Sequence, residues 1–286
     1  MKQLLGLCLT LFLTTSLFSQ LELPQKSPKA STSYVIGLTK VSINYSSPAV
    51  NGRVIWGGLV PFDQVWRAGA NEATTVEFST DVMVEDKFLK KGKYSLFFIP
   101  KQDGKWIAIF NKIADQWGAY SYNEQQDALR VEVQTKDTDS MEERLNFSIV
   151  DLADERGYIR FGWEKKRVYI LFREDLMAQV LENIKVASES AAPDDKWLIH
   201  AQAADWYLEN GHPAKAEAQI NISTALARHS RNCWIEAKIK AEKKDYKGAV
   251  ESAKLAMDLG EKANSKFYIS SKDRMAEAVK EWSGKM

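Results

Sequence analysis

Histidine and cysteine are scarce in this chain. Its 286 residues include three histidines and two cysteines. All three histidines, His200, His212 and His229, fall in the C-terminal part. This excludes Ser-His couples, Cys-His couples and histidine metal sites from the N-terminal part. We therefore expect no metal and no cofactor, and the sequence favours a non-enzymatic protein.

An excess of charge of one sign is also lacking. Lysine and arginine number 39, aspartate and glutamate 38, and the net charge is +1. Such a balance produces no field that would attract nucleic acid or an anionic membrane surface, so nucleic acid is excluded as a partner. Phosphate-binding glycine motifs are absent as well, because the Gly52 and Gly57-Gly58 segments have the composition of turns.

The one long apolar stretch lies at the N-terminus, from Leu4 to Leu13. It is shorter than the roughly 20 residues of a membrane span. With Lys2 before it and small polar residues after it, the stretch predicts a signal peptide at 1–19 with cleavage after Ser19. The mature chain would then have no transmembrane segment and a single cysteine, Cys233. We expect a periplasmic or secreted protein without an internal disulfide.

Short runs of alternating apolar and polar residues fill the region from 41 to 172. They predict nine or ten strands, joined by short turns into antiparallel pairs. The predicted fold class is therefore β + α in two domains. An N-terminal extension at 20–30 precedes an antiparallel β-sandwich of jelly-roll type at 31–174, which an all-α region at 175–286 follows. The least regular stretch of the β domain is 46–73.

From residue 175 onward, apolar residues recur at spacings of three and four. They predict helices at about 175–190, 194–210, 213–228, 232–243, 246–261 and 265–282. Small residues also repeat 33 positions apart, since Ala204, Ala216 and Ser223 correspond to Ala237, Ala249 and Ala256. This pattern resembles the tetratricopeptide repeat, and a plain helical bundle is the alternative.

Candidate binding residues concentrate in the irregular segment 46–73. Two arginines, two tryptophans, an amide and a carboxylate compose a shallow site there: Arg53, Trp56, Trp66, Arg67, Asn71 and Glu72. Arginine suits bidentate pairing with carboxylates or phosphates. The structural alternative is that Arg67 pairs with Glu72, Asn71 caps a turn and the tryptophans lie in the core.

Aromatic residues supply a second candidate surface. Trp117, Tyr120 and Tyr122 lie in the loop DQWGAYSYNEQQD, where exposed rings would offer platforms for sugar rings. Trp106, by contrast, is in phase with Ala108 of its strand, which predicts a core position.

Three functions remain open on the residues alone. The first is a glycan- or peptide-binding β-sandwich with a helical tail for protein contact. The second is a carboxylate-dependent hydrolase of envelope polysaccharide, with Glu72 and one of Asp63, Asp81 or Glu164 as its pair. The third is a purely structural scaffold.

Four segments carry a resemblance to a known family: LPQKSPKAS, VSINYSSPAVNGRVIWGGLVPF, VWRAGANEATTVEFSTDV and KGKYSLFFIP, all between residues 23 and 100. Together they resemble a family of exported bacterial proteins, frequent in Bacteroidetes, known as domain of unknown function family 2911. The likeness covers about residues 23–173. It implies an exported β domain, some relatives of which carry helical repeats behind it, and it implies no catalytic residues.

Overall fold

The computed structural model describes residues 23–286 except 103 and 154. The predicted signal peptide, its cleavage site after Ser19 and the first residues of the N-terminal extension lie outside the described residues. The chain divides into two compact units, one ending at Glu174 and the other beginning at Asp175. No helix in the described ranges combines the length and the apolar character that crossing a bilayer would require.

The first unit is built on one antiparallel sheet. Its strands are β1 Lys29–Ile36, β2 Thr39–Ser46, β3 Thr75–Phe78, β4 Val82–Val84, β5 Lys87–Leu89, β6 Gly92–Ile99, β7 Trp106–Asn111, β8 Asp127–Ala153 and β9 Arg156–Arg173. Their order across the sheet is β1-β2-β3-β6-β7-β8-β9-β4-β5. Every strand pairing is antiparallel. Short turns join four of the eight pairs, β1–β2, β4–β5, β6–β7 and β8–β9.

The two halves of this sheet enclose one core. Tyr45 on β2 packs against Phe147 on β8, with ring centroids 5.2 Å apart. Phe78 on β3 packs against Phe172 on β9 at 5.8 Å. Trp106 is fully buried, as its phase in the strand predicts. The predicted β + α class, an antiparallel β-sandwich followed by helices, is confirmed.

Strand lengths differ from the sequence pattern in two places. Alternation predicted two strands within 129–149 and two within 158–172, whereas β8 and β9 each run through both. No glycine or proline interrupts β8, so its ladder with β9 continues, with register shifts between Asp137 and Asn146. Strand β1 was not predicted, because its Ser and Thr residues are largely exposed and leave no apolar alternation.

The second unit is helical. Its helices are α1 Leu176–Ser190, α2 Lys196–Glu209, α3 Pro213–Leu226, α4 Ser230–Glu242, α5 Tyr246–Lys262 and α6 Lys266–Ser283. All six small residues of the 33-residue repeat are buried, as is Cys233. Small side chains let helices approach closely, so this packing fits the tetratricopeptide-like tail that the spacing predicts.

Candidate functional site

A row of small polar side chains crosses the outer face of the sheet. Ser31, Asn44, Thr75, Ser95 and Asn111 stand directly opposite one another on β1, β2, β3, β6 and β7. Residues that face each other across strands project to the same side, and the positions between these residues supply the core. The row therefore belongs to the side of the sheet that points away from the core.

A loop at residues 112–126 covers part of this row. Tyr122 of the loop packs on Phe97 of the outer face, with ring centroids 5.1 Å apart. Ser95 and Asn111 are buried beneath the loop, whereas Ser31 at the other end of the row is exposed. The outer face thus has a covered half on β6 and β7 and an open half that begins at Thr75 on β3, itself 7% exposed, and extends to β1.

A cleft of about 600 Å³ lies where the open half meets the loop. Ser31, Asn44 and Thr75 contribute to its floor, and Trp117 of the loop forms part of its wall. The side chain of Trp117 is 59% exposed although a tryptophan normally lies buried. The cleft therefore combines an available aromatic ring with a floor of hydroxyl and amide groups.

The charged residues of the cleft balance one another. Lys29 and Lys93 carry positive charge, and Glu72 and Asp115 negative charge. The Nζ of Lys29 lies 3.1 Å from the Glu72 carboxylate. A hydrogen bond from its own backbone N–H, and then the Lys29 contact, lower the pKa of Glu72. Glu72 is consequently ionised near neutral pH.

Backbone pairing fixes Trp117 beside Glu72. The N–H of Ala73 donates to the carbonyl oxygen of Gln116 at 2.9 Å, and the N–H of Gly118 donates to that of Asn71 at 3.1 Å. Trp117 and Glu72 therefore face each other as an isolated antiparallel bridge. The end of the irregular segment 46–73 is what places the aromatic wall of the cleft.

Gln116 adds a buried acceptor to the lining of the cleft. It is 7% exposed, and its Nε2 donates to the Asn111 side chain at 3.2 Å and to the Ile113 carbonyl at 2.6 Å. Both partners accept hydrogen bonds, so Nε2 must face them. The other polar atom of the amide is therefore the oxygen, Oε1. That oxygen has no hydrogen-bond partner among the described residues.

Of the nine candidate residues from the sequence, Glu72 and Trp117 line the cleft. Trp56 and Trp66 instead pack in the core, with ring centroids 5.8 Å apart. Trp66 also stacks on Trp163 at 5.9 Å and is 9% exposed. Their positions agree with the structural alternative for the two tryptophans.

The remaining candidates lie elsewhere on the β domain. Arg53 donates through Nε to the Val50 carbonyl at 3.0 Å, within its own turn. Tyr120 is 88% exposed but does not contribute to the described lining of the cleft. Tyr122, expected to be exposed, is partly buried, and its hydroxyl donates to Asp127 at 2.7 Å.

Asn71 holds the segment that precedes β1. Its Nδ2 donates to the Gln25 side chain at 3.0 Å and to the Ser27 carbonyl at 3.3 Å. The backbone of Asn71 is left-handed, with φ of 56°. Asparagine tolerates this conformation better than most residues. The side chain thus contacts a distant segment, where the structural alternative expected it to cap a turn locally.

The hypothesis of an Arg67–Glu72 ion pair is wrong. Glu72 pairs with Lys29, and no ion pair in the described part of the chain involves Arg67. Burial lowers the pKa of the Arg67 guanidinium, and Tyr120 opposes this effect. Lys29 lies at the start of β1 and reaches Glu72 only because β1, β2 and β3 are adjacent in the sheet.

The carboxylate pairs considered for hydrolysis do not form in the cleft. Asp63 pairs with Lys101 at 2.5 Å, and Asp81 accepts the backbone N–H of Lys91 at 2.7 Å. Neither they nor Glu164 belong to the described lining of the cleft. Across the described ranges, no group of three His, Cys, Asp or Glu side chains is arranged to hold a metal ion.

Sequence reasoning missed the floor of the cleft. Ser31, Asn44 and Thr75 are small polar residues on separate strands, and only the strand register brings them together. The available signal was a polar residue at an outward position of each strand. Such residues are common on solvated sheet faces, so the signal does not distinguish a site.

Residues 27–172 match a family model described as "Protein of unknown function (DUF2911)". The chain belongs to the DUF2911 family. The match spans about half of the chain and confirms the resemblance seen in the sequence. No curated protein matches the chain. The cleft residues, from Lys29 to Trp117, all lie within the DUF2911 region.

Proposed function

We propose that the DUF2911 domain binds a neutral glycan, without cleaving it, in the cleft beside Trp117. The observation that carries this proposal is the exposed indole of Trp117 next to a floor of hydroxyl and amide side chains. A sugar ring presents an apolar C–H face for stacking and hydroxyl groups that both donate and accept hydrogen bonds. Serine, threonine and asparagine match those hydroxyl groups because their side chains also donate and accept.

The charges of the cleft support a neutral glycan over an acidic one. Two lysines are offset by two carboxylates, and Lys29 is already engaged with Glu72. An acidic glycan would meet both carboxylates without an excess of positive charge to compensate. A neutral chain of hydroxyl groups requires no such compensation.

A glycan is also favoured over a peptide. The floor of the cleft is a sheet face, on which the backbone groups of β2 and β3 are already paired with neighbouring strands. Extended peptides usually bind by adding a strand to an open sheet edge, which in this cleft lies at β1 and not at the β2 and β3 part of the floor. On β2 and β3, recognition would depend on side chains alone.

The state of Glu72 supports binding without hydrolysis, with Glu72 unsuited to the role of general acid. A general acid for glycoside cleavage needs a raised pKa so that it holds a proton near neutral pH. The pKa of Glu72 is lowered instead. The Glu72 carboxylate also forms an ion pair with Lys29.

The setting we propose for this binding lies outside the cytoplasm. The N-terminal sequence supports export through a signal peptide at 1–19, which would place the domain in the periplasm or the surroundings of the cell. The repeat-like packing of the helical unit supports a role for that unit in protein contact.

The test is affinity electrophoresis of the mature chain in gels that contain neutral polysaccharides, such as a β-glucan, a xylan or a mannan. Alginate serves as the acidic comparator. We expect retardation by a neutral polysaccharide and at least about tenfold weaker binding for Trp117→Ala, because central aromatic contacts carry much of the energy of such interfaces.

Two matched variants control for the removal of an exposed ring. Tyr120→Ala removes an 88% exposed ring from the same loop, and Phe88→Ala removes a 62% exposed ring from β5. Both should bind like the unmodified protein. Retardation by alginate alone, or equal losses for Trp117→Ala and Phe88→Ala, would contradict the proposal.

A further inference from the structure

One buried side chain contacts the loop that carries Trp117 at several points along its length. Asn111 ends β7 and is fully buried. Its Nδ2 donates to the Asn123 carbonyl at 3.0 Å and to Asp127 Oδ1 at 2.8 Å. Its Oδ1 accepts from the Ile113 N–H at 3.1 Å and from Gln116 Nε2 at 3.2 Å. A single amide thus contacts the start, the middle and the end of the loop.

This amide belongs to a wider polar cluster. Asp127 Oδ2 accepts from Tyr122 at 2.7 Å and from Arg130 Nε at 2.7 Å, and the Arg130 guanidinium also donates to the Tyr122 hydroxyl at 2.6 Å. Burial and the bond to Asp127 raise the pKa of Tyr122 to about 12, so its hydroxyl remains a donor. Glu124 also belongs to the cluster, since its carboxylate lies 3.1 Å from the Arg130 guanidinium.

Trp117 lies between two attachments. On one side its backbone neighbours pair with residues 71 and 73. On the other side Gln116, the residue before it, donates to Asn111. Ser95 on β6 also donates to the Ile113 carbonyl at 2.7 Å, but it contacts the start of the loop and not Gln116. If the Asn111 contact were lost, Gln116 would lose its side-chain hydrogen bond to the sheet while the start of the loop kept its own.

We propose that Asn111 is the positioning residue for the aromatic wall of the cleft, and that its four hydrogen bonds set the place of Trp117 for ligand binding. The inference rests on the proposed glycan-binding function. Asn111 does not touch the ligand, and its effect is transmitted through Gln116 and the loop. These four contacts require a side chain that donates two hydrogen bonds and accepts two. The short carboxamide of asparagine meets this requirement.

The substitution Asn111→Asp tests this role through pH. It places a second carboxylate against Asp127 and the Asn123 carbonyl, so at pH 7.5 three acceptors would face one another without a proton. Two carboxylates this close cannot both remain ionised without cost, and the pair takes up a proton as the pH falls. At pH 5 that proton restores a donor between them.

The expected result has two parts. At pH 7.5 the variant should bind the neutral polysaccharide that best retards the unmodified protein about tenfold more weakly, and backbone amides of 112–126 should exchange hydrogen faster. At pH 5 both properties should move back toward those of the unmodified protein. Glu72 does not produce this profile, since its lowered pKa keeps it ionised at pH 5.

Asn123→Asp is the matched control. It makes the same chemical change within the same loop, but its side chain accepts from the Gln125 N–H at 3.0 Å, a role that aspartate fills equally well. Its binding and exchange should match those of the unmodified protein at both pH values.

Tyr122→Phe serves if Asn111→Asp does not fold. It keeps the ring on Phe97 and removes the hydroxyl bonded to Asp127 and Arg130. We expect a loss of binding of about threefold with faster exchange in the loop.

The outcomes separate the two proposals. If the loop of Asn111→Asp stays as protected as in the unmodified protein at pH 7.5, or exchanges faster without weaker binding, the positioning role is wrong while the cleft stands. If no polysaccharide binds the unmodified protein, the proposed function and the positioning role for binding both fail. In that case the exchange measurement shows only whether Asn111 orders the loop.

Discussion

Two irregular segments of the β domain, residues 46–73 and residues 112–126, use tryptophan in opposite ways. The first inserts Trp56 and Trp66 into the core, where they contact each other and Trp163. The second lies on the outer face of the sheet and leaves Trp117 59% exposed. Both segments are rich in polar and aromatic residues, and from composition alone the first resembles a site more closely.

The two segments contribute to the cleft in different ways, one through its backbone and the other through an exposed side chain. In 46–73 the positive φ angles of Asn51, Asp63, Ala68 and Asn71 let the chain turn tightly enough to cover the sheet. Its last residues then pair with the second segment and place Trp117. The first segment therefore supports the cleft through its backbone, and the second supplies the side chain that faces the ligand.

The largest expected contrast is between the two tryptophans in stability. Trp66→Ala removes a buried ring from the core and should lower the free energy of unfolding by about 3–5 kcal/mol. Trp117→Ala removes an exposed ring and should change it by less than about 0.5 kcal/mol. Urea denaturation of the mature chain measures both, and equal effects would remove the distinction between the two segments.

Asn71 gives a smaller contrast within the first segment. Asn71→Ala loses the bonds to Gln25 and Ser27 and places a strained residue at φ of 56°, which should cost about 2 kcal/mol together. Asn71→Gly keeps the backbone conformation and should recover about half of this loss. If both variants lose the same stability, backbone strain plays no part at this position.

Much of the fold could be predicted from the sequence because its causes are local. Alternating apolar residues determine which faces of β2, β6 and β7 are buried, and the spacing of small residues determines how the helices pack. The helix bounds differ by only a few residues from those predicted, since caps such as Asp175 and Asp245 fix where helices begin.

The site could be predicted less well because its causes are distant in the chain. Trp117 and Glu72 were candidates by residue type, but Ser31, Asn44 and Thr75 meet only through strand register. The mistaken Arg67–Glu72 pair shows the same limit. Sequence proximity suggested Arg67, whereas the sheet order brings Lys29 to Glu72 from 43 residues earlier in the chain.

The smallest expected effect on stability tests whether Glu72 pairs with Lys29 or with Arg67. The Lys29–Glu72 pair is largely exposed, with side chains 69% and 46% accessible, so Glu72→Gln should cost less than about 0.5 kcal/mol at pH 7.

The folded pKa of Glu72 is lowered, so this contribution is complete above the unfolded pKa of about 4.3 and is lost as the pH falls through the folded value. Urea denaturation at pH 7 and at pH 3 measures it, with the exposed Glu77→Gln on β3 as control. A buried Arg67–Glu72 pair would instead make Glu72→Gln cost about 3–5 kcal/mol, because an uncompensated buried charge would remain.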